Sequence, residues 1–200
     1  MAVRRTAEMS SRRAEILSTA AELFARKGFA GTTVRDIADA SGILSGSLYH
    51  HFAAKEEMVE EIFTAYFDEL TARWDEILDG GGDTRSKFES MLRAALRNVD
   101  SHTAAARLFT HEWLDMRHLG NFEARWTQIE KMWMDLIRQG IDEGAFRSDI
   151  DAALLFSIAM DVIRGLSGWY HQGGRWPIDQ VADAYIGVLM TGMVSSARSK

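Results

Sequence analysis

Between Thr32 and Lys55 the chain reads TTVRDIADASGILSGSLYHHFAAK, and its polar side chains there are suited to holding an anion rather than to catalysis. Leu48 and Phe52 lie four apart on one helical face, which leaves Ser45, Ser47, Tyr49 and His50 on the other. A small, polar face opposite two apolar anchors is what a helix needs to enter a DNA groove. Hydroxyls and a helix N-terminus donate to phosphate, Lys55 supplies charge, and Gly46 permits close backbone approach. Arg35 is the one side chain of the stretch able to grip guanine with two hydrogen bonds, worth about 1–3 kcal/mol of discrimination.

Other constellations carry no chemistry. His50 and His51 are adjacent on a helix and point about 100° apart, so they do not form a metal pair. His111-Glu112 is followed by no histidine three residues on, and His118 does not complete a zinc pattern. There is no cysteine, no glycine-rich phosphate loop and no nucleophile elbow. The expectation is a protein that is not an enzyme and needs neither metal nor cofactor.

The elements around the stretch are helical. A single proline and abundant Ala, Leu, Met, Glu and Arg favour an all-α chain. A first helix is expected over about 11–27, capped by Ser10 or Ser11 and stopped by Gly28, with Ile16, Leu17, Ala20, Leu23 and Phe24 on its apolar face. Thr33 caps a second helix, Ser41-Gly42 breaks it, and a third runs from Leu44 or Ser45 to Phe52. Longer helices follow over about 55–79, from Asp83 or Thr84 to about 99, over 101–117 and 121–143, from Asp149 or Asp151 to about 172, and over 177–196, separated by glycines at 80–82, 144 and 173–174. About nine helices result, with a DNA-reading head over 1–55 and a body over 56–200.

Charge divides the same way. Residues 1–55 carry eight Lys/Arg against five Asp/Glu, and residues 56–200 fifteen against twenty-four. A basic head on an acidic body suits a head that meets phosphate. The basic N-terminus lacks the apolar run of a signal peptide, and the longest apolar run, Ala152 to Met160, is short for a bilayer. The expected location is the cytoplasm.

The string Thr33-Val34-Arg35-Asp36-Ile37-Ala38, Ser41-Gly42, Gly46-Ser47-Leu48-Tyr49-His50-His51-Phe52 and Lys55-Glu56-Glu57-Met58 resembles the TetR family of bacterial transcriptional regulators. Ile16-Leu17, Ala20, Leu23-Phe24 and Gly28-Phe29 fit it upstream, and Gly140 to Arg147 downstream. The resemblance implies phosphate contacts from Thr33, Tyr49, His50 and Lys55, and Arg35, Ser45, Gly46 and Ser47 at or near base edges. Many members carry a small polar cap where this chain has Leu44, so the reading helix is expected to start at Ser45. Gly42 to Phe52, Lys131 to Asp135, Trp169-Tyr170 and Gly173-Gly174 are similar to the branch that represses steroid (cholesterol) catabolism. That branch answers to CoA thioesters of steroid-ring breakdown products; a fatty acyl-CoA or another apolar ligand is the alternative.

In the body, large aromatics and methionines line either an apolar ligand cavity or ordinary core. The effector candidates are Trp113 with Phe109, Trp126, and Trp74, Phe88 and Met91 closing the space from neighbouring helices. Arg164, Trp169 and Tyr170 join them. Arg164 stands among apolar residues, either to meet an effector carboxylate or CoA phosphate or to pair with Asp161. The last two helices carry broad apolar stripes with Ala159, Gly165, Ala184, Gly187 and Gly192, which suits a homodimer formed through both. Double-stranded operator DNA, a small-molecule effector and a second copy are the expected partners.

Overall fold

The computed structural model describes the backbone of residues 2–116 and 120–194 and the side chains of 11–112 and 120–194. The described residues form nine helices and one isolated antiparallel bridge, Phe146 to Val194. Contacts gather the chain into two units, 1–66 with 104–123 and 67–103 with 124–200. The break was expected near Lys55 with the following helix belonging to both parts, and the division falls within that helix. Helix α4 (Lys55–Asp79) gives its first half to the head, and most of α6 (Thr103–Met116) returns there.

In the head unit, α1 (Ala2–Lys27) begins well before the expected cap, so Ser10 and Ser11 lie inside it. Ile16, Ala20, Leu23 and Phe24 are buried as their spacing requires. Gly28 ends the helix at φ 77°, a left-handed conformation that glycine adopts without strain. Thr33 caps α2 (Val34–Ala40) in a reciprocal box: the Asp36 N–H donates to Thr33 Oγ1 at 3.1 Å, and the Thr33 N–H donates to Asp36 Oδ2 at 2.9 Å. Gly42 turns the chain at φ 66°. The next helix, α3 (Ser45–Leu48), is shorter than expected, although the Phe52 N–H still donates to Leu48 O at 3.0 Å. Leu48 and Phe52 are buried. Phe63 packs on Phe109 and Phe122, with ring centroids 6.2 and 5.1 Å away, and closes the unit.

In the body unit, Asp83 caps α5 (Thr84–Ser101) and Asp151 caps α8 (Ala152–Trp169). Pro177 precedes α9 (Ile178–Met193), and α5 packs against both α8 and α9. Trp133 of α7 (Phe122–Asp142) is fully buried, edge-on to Trp74 at 5.5 Å and to Phe88 at 5.2 Å. Phe88 reaches Phe146 at 5.4 Å, and the Trp74 indole N–H donates to Met91 O at 2.9 Å. Over its full length α8 is long and apolar enough to cross a membrane, which the shorter run 152–160 did not suggest. Leu155, Phe156, Ala159, Met160, Ile163 and Leu166 spend much of that apolarity on the core.

One glycine is dictated by packing. A Cβ on Gly140 would collide with the buried Phe146 ring. Gly140→Ala should therefore cost about 3 kcal/mol by overpacking. Urea unfolding measures the loss, and Phe146→Leu in the same chain should recover part of it.

Candidate DNA interface and effector body

The side chains expected to face DNA are at the surface of the head. Thr33, Arg35, Gly46, Ser47, Tyr49 and His50 are exposed, and Ser45 is half-buried at the start of α3. Arg35 is 85% exposed and only loosely paired, its Nε 3.8 Å from Asp39 Oδ2, so its guanidinium is available at little cost. A Cβ on Gly46 would meet nothing within 4 Å. Nothing inside the chain demands glycine there, which leaves room for an outside surface.

Several head cations are spent on the head itself. Arg13, invisible as a functional residue in the sequence, reaches from α1 to both Glu57 and Glu61 of α4 and donates to His51 O. Its guanidinium lies 4.0 Å from the centre of the Phe52 ring. The Glu61 carboxylate, then Glu57, raises the Arg13 pKa further. The Ala53 N–H and then Arg13 lower that of Glu57. The end of the reading helix is thereby tied to both α1 and α4. Lys27 meets Asp36 at 2.7 Å, and with the Thr33 hydroxyl and N–H it holds that carboxyl well below the usual range. Arg12 donates to Ser41 O at 2.7 Å.

Lys55, expected at a phosphate, is turned inward. Its ammonium donates to Phe29 O at 2.8 Å and Thr32 O at 3.2 Å, and lies 4.2 Å from the centre of the Phe29 ring. Two of its three protons are on carbonyls and an aromatic face covers it. It fixes the loop that delivers Thr33. Lys55→Met should weaken operator binding about tenfold by loosening that loop, while the slope of log affinity against log salt stays unchanged. A lost phosphate contact would lower the slope by about one per protomer.

The effector candidates do not converge. Trp74, Phe88 and Met91 are fully packed core of the body unit, and Phe109 belongs to the head unit. The Trp113 side chain lies outside the described residues. Trp126 is half-buried, its ring 6.3 Å from Phe156. Tyr170 is buried, and burial followed by the Asp100 carboxylate raises its hydroxyl pKa. Arg164 pairs with Asp161 at 2.6 Å and is half-exposed. A separate cleft of about 570 Å³ between α4 and α5 is lined by Leu70, Ile77, Arg73, Arg93 and Arg97 and includes none of the candidates. Arg93 and Arg97 also reach Asp183 and Asp179 of α9, at 2.6 and 2.7 Å.

Helices α8 and α9 leave apolar side chains uncovered. Leu154, Ile158 and Trp169 of α8, Val188 of α9 and Trp176 between the two helices are exposed, Val188 to 78%. Gly165, Gly187 and Gly192 have open space where a Cβ would stand. Ala159 was expected among these small contacts, but it points into the core at 0% exposure.

These features define a helical DNA-binding regulator with a helix-turn-helix head. Residues 16–62 match the bacterial regulatory proteins of the tetR family, and residues 81–193 match the tetracyclin repressor-like C-terminal domain. The chain belongs to the TetR family. It is similar to the HTH-type transcriptional repressor KstR2 of Rhodococcus jostii, 39% identical over 95% of each chain. It is also similar to KstR2 of Mycobacterium tuberculosis, 39% identical over 93% of this chain and 94% of the relative. The structure of that ketosteroid transcriptional regulator superposes with a TM-score of 0.87 at 38% identity, over 92% of this chain and 96% of the other. AibR, solved with isovaleryl coenzyme A and operator DNA, shares the fold at a TM-score of 0.79 and 22% identity, over 90% of this chain and 98% of AibR.

Proposed function

We propose that the chain is a homodimeric repressor that holds a palindromic operator through two heads and lets go when a CoA thioester from steroid-ring catabolism binds the body. The observation that carries the operator half of this reading is the exposed set Thr33, Arg35, Gly46, Ser47, Tyr49 and His50, with half-buried Ser45, around a reading helix anchored by Leu48 and Phe52. Hydroxyls and the His50 ring position the phosphates, and Arg35 reads a guanine. The uncovered face of α8 and α9 suits a second copy, and a two-fold pair reads half-sites about 34–36 Å apart or at a related spacing.

The effector half rests on the nearness to KstR2 and on the end of α8. Arg164 carries the one guanidinium of that helix and is half-exposed, while Trp169 is 45% exposed beside Trp176 and Tyr185. Arg175 lies 4.7 Å from the centre of the Trp176 ring, and a cation on open aromatic surface suits a ligand with an anionic tail and an apolar ring system. Binding shifts the population only if the ligand prefers the form that releases DNA, and α4, which runs through both units, is the natural lever. Titrating steroid-ring CoA thioesters into the operator complex should free the DNA, followed by fluorescence anisotropy. No release by any such thioester would sink the effector half. Release by a fatty acyl-CoA, or such a mass co-purifying in native mass spectrometry, would favour the second reading.

A further inference from the structure

Leu44 has no role among the contacts described so far, and its position is unusual on two counts. It occupies the N-cap of α3 with backbone angles φ −73° and ψ 144°, where it makes no side-chain cap. It is also 82% exposed. A single exposed leucine is ordinary on a protein surface, so exposure alone decides nothing. Its place does. Among the described residues of the head unit, the two exposed large apolar side chains are Leu44 and Tyr49, both at the reading helix. Its neighbours Ser45, Gly46 and Ser47 are polar or small and Ile43 is only partly exposed, so Leu44 belongs to no apolar patch of the size that docks a protein. The Ser47 and Leu48 N–H groups both donate to Leu44 O, at 2.9 and 3.2 Å, which holds the residue rigidly at the start of the helix.

The N-terminal residues of a reading helix are the ones that contact base edges. In the major groove the apolar feature on those edges is the 5-methyl group of thymine. We infer that Leu44 is a specificity-determining residue that packs against a thymine methyl in each half-site. This deepens the proposed operator reading and rests on it. The leucine forgoes the cap that a serine would make, and recovers the loss only when it meets that methyl.

The test replaces thymine by deoxyuracil, which pairs identically and lacks only the methyl. Duplexes are first selected from a randomised pool by the wild-type protein, and thymines are then changed one at a time, in both half-sites together. One position per half-site should weaken wild-type binding about fifteenfold, or about fourfold for each methyl. Leu44→Ser, which restores a capping side chain and disturbs no core, should bind the thymine and uracil duplexes equally. Wild type that is insensitive to uracil at every position overturns the inference and leaves the operator reading standing. So does a Leu44→Ser variant with the full difference. Failure of the wild type to select any sequence overturns the operator reading itself.

Discussion

Tyr49→Ala should lower operator affinity at least a hundredfold and leave the unfolding transition where it is. The side chain is 57% exposed at the C-cap of α3, so its removal opens no cavity. What the proposed operator reading loses with it is a phosphate contact. A hydrogen bond to a charged group contributes about 1.5–3 kcal/mol, and a symmetric complex loses it twice. Two such losses come to about 3 kcal/mol or more. Anisotropy titrations on a selected duplex measure the affinity, and thermal melting by circular dichroism checks the fold. A matching fall in melting temperature would mean that Tyr49 supports the head rather than the contact.

Val188→Glu should separate the two copies. Val188 is 78% exposed on α9, one turn before Gly192, whose open space lets a second backbone come close. In the proposed dimer a carboxylate there would be buried against its own symmetry mate, two like charges without partners, and the paired state would lose several kcal/mol. The variant should sediment at half the mass of the wild type with unchanged helicity. Its operator affinity should fall on the order of a thousandfold, because a lone head keeps only half of the contacts. A variant that stays dimeric would place the interface elsewhere.

The sequence was most informative where local chemistry decides structure. Thr33, Asp83 and Asp151 are caps by residue type, and Gly28 and Gly42 are the turns that need a positive φ. The inward faces followed from spacing, as with Leu48 and Phe52 or Trp74 and Trp133. What spacing does not contain is what lies on the other side of an inward face. Trp74, Phe88 and Met91 have the same pattern whether they line a cavity or fill a core, and here they fill it. Phe109 is separated from the head in sequence yet packs against Phe63 and Tyr66, a consequence of where α6 returns in space.

Charge was the least legible property. Counting cations made the head basic, but Arg13, Lys27 and Lys55 are occupied by Glu57 and Glu61, by Asp36, and by two backbone carbonyls. Which cations remain free depends on tertiary partners, and Arg35, 85% exposed, is only loosely paired with Asp39. Leu44 was legible as a departure from the family's polar cap, and the structure turned that departure into an exposed side chain at the reading edge.

The most direct measurement is a hydroxyl-radical footprint of the protein on a duplex that it has selected from a randomised pool, taken over a range of salt. The expected result is two protected half-sites related by a two-fold axis on one face of the duplex, about 34–36 Å apart or at a related spacing, with protection that weakens steeply as salt rises. A single unpaired patch of protection, or protection indifferent to sequence, would contradict it.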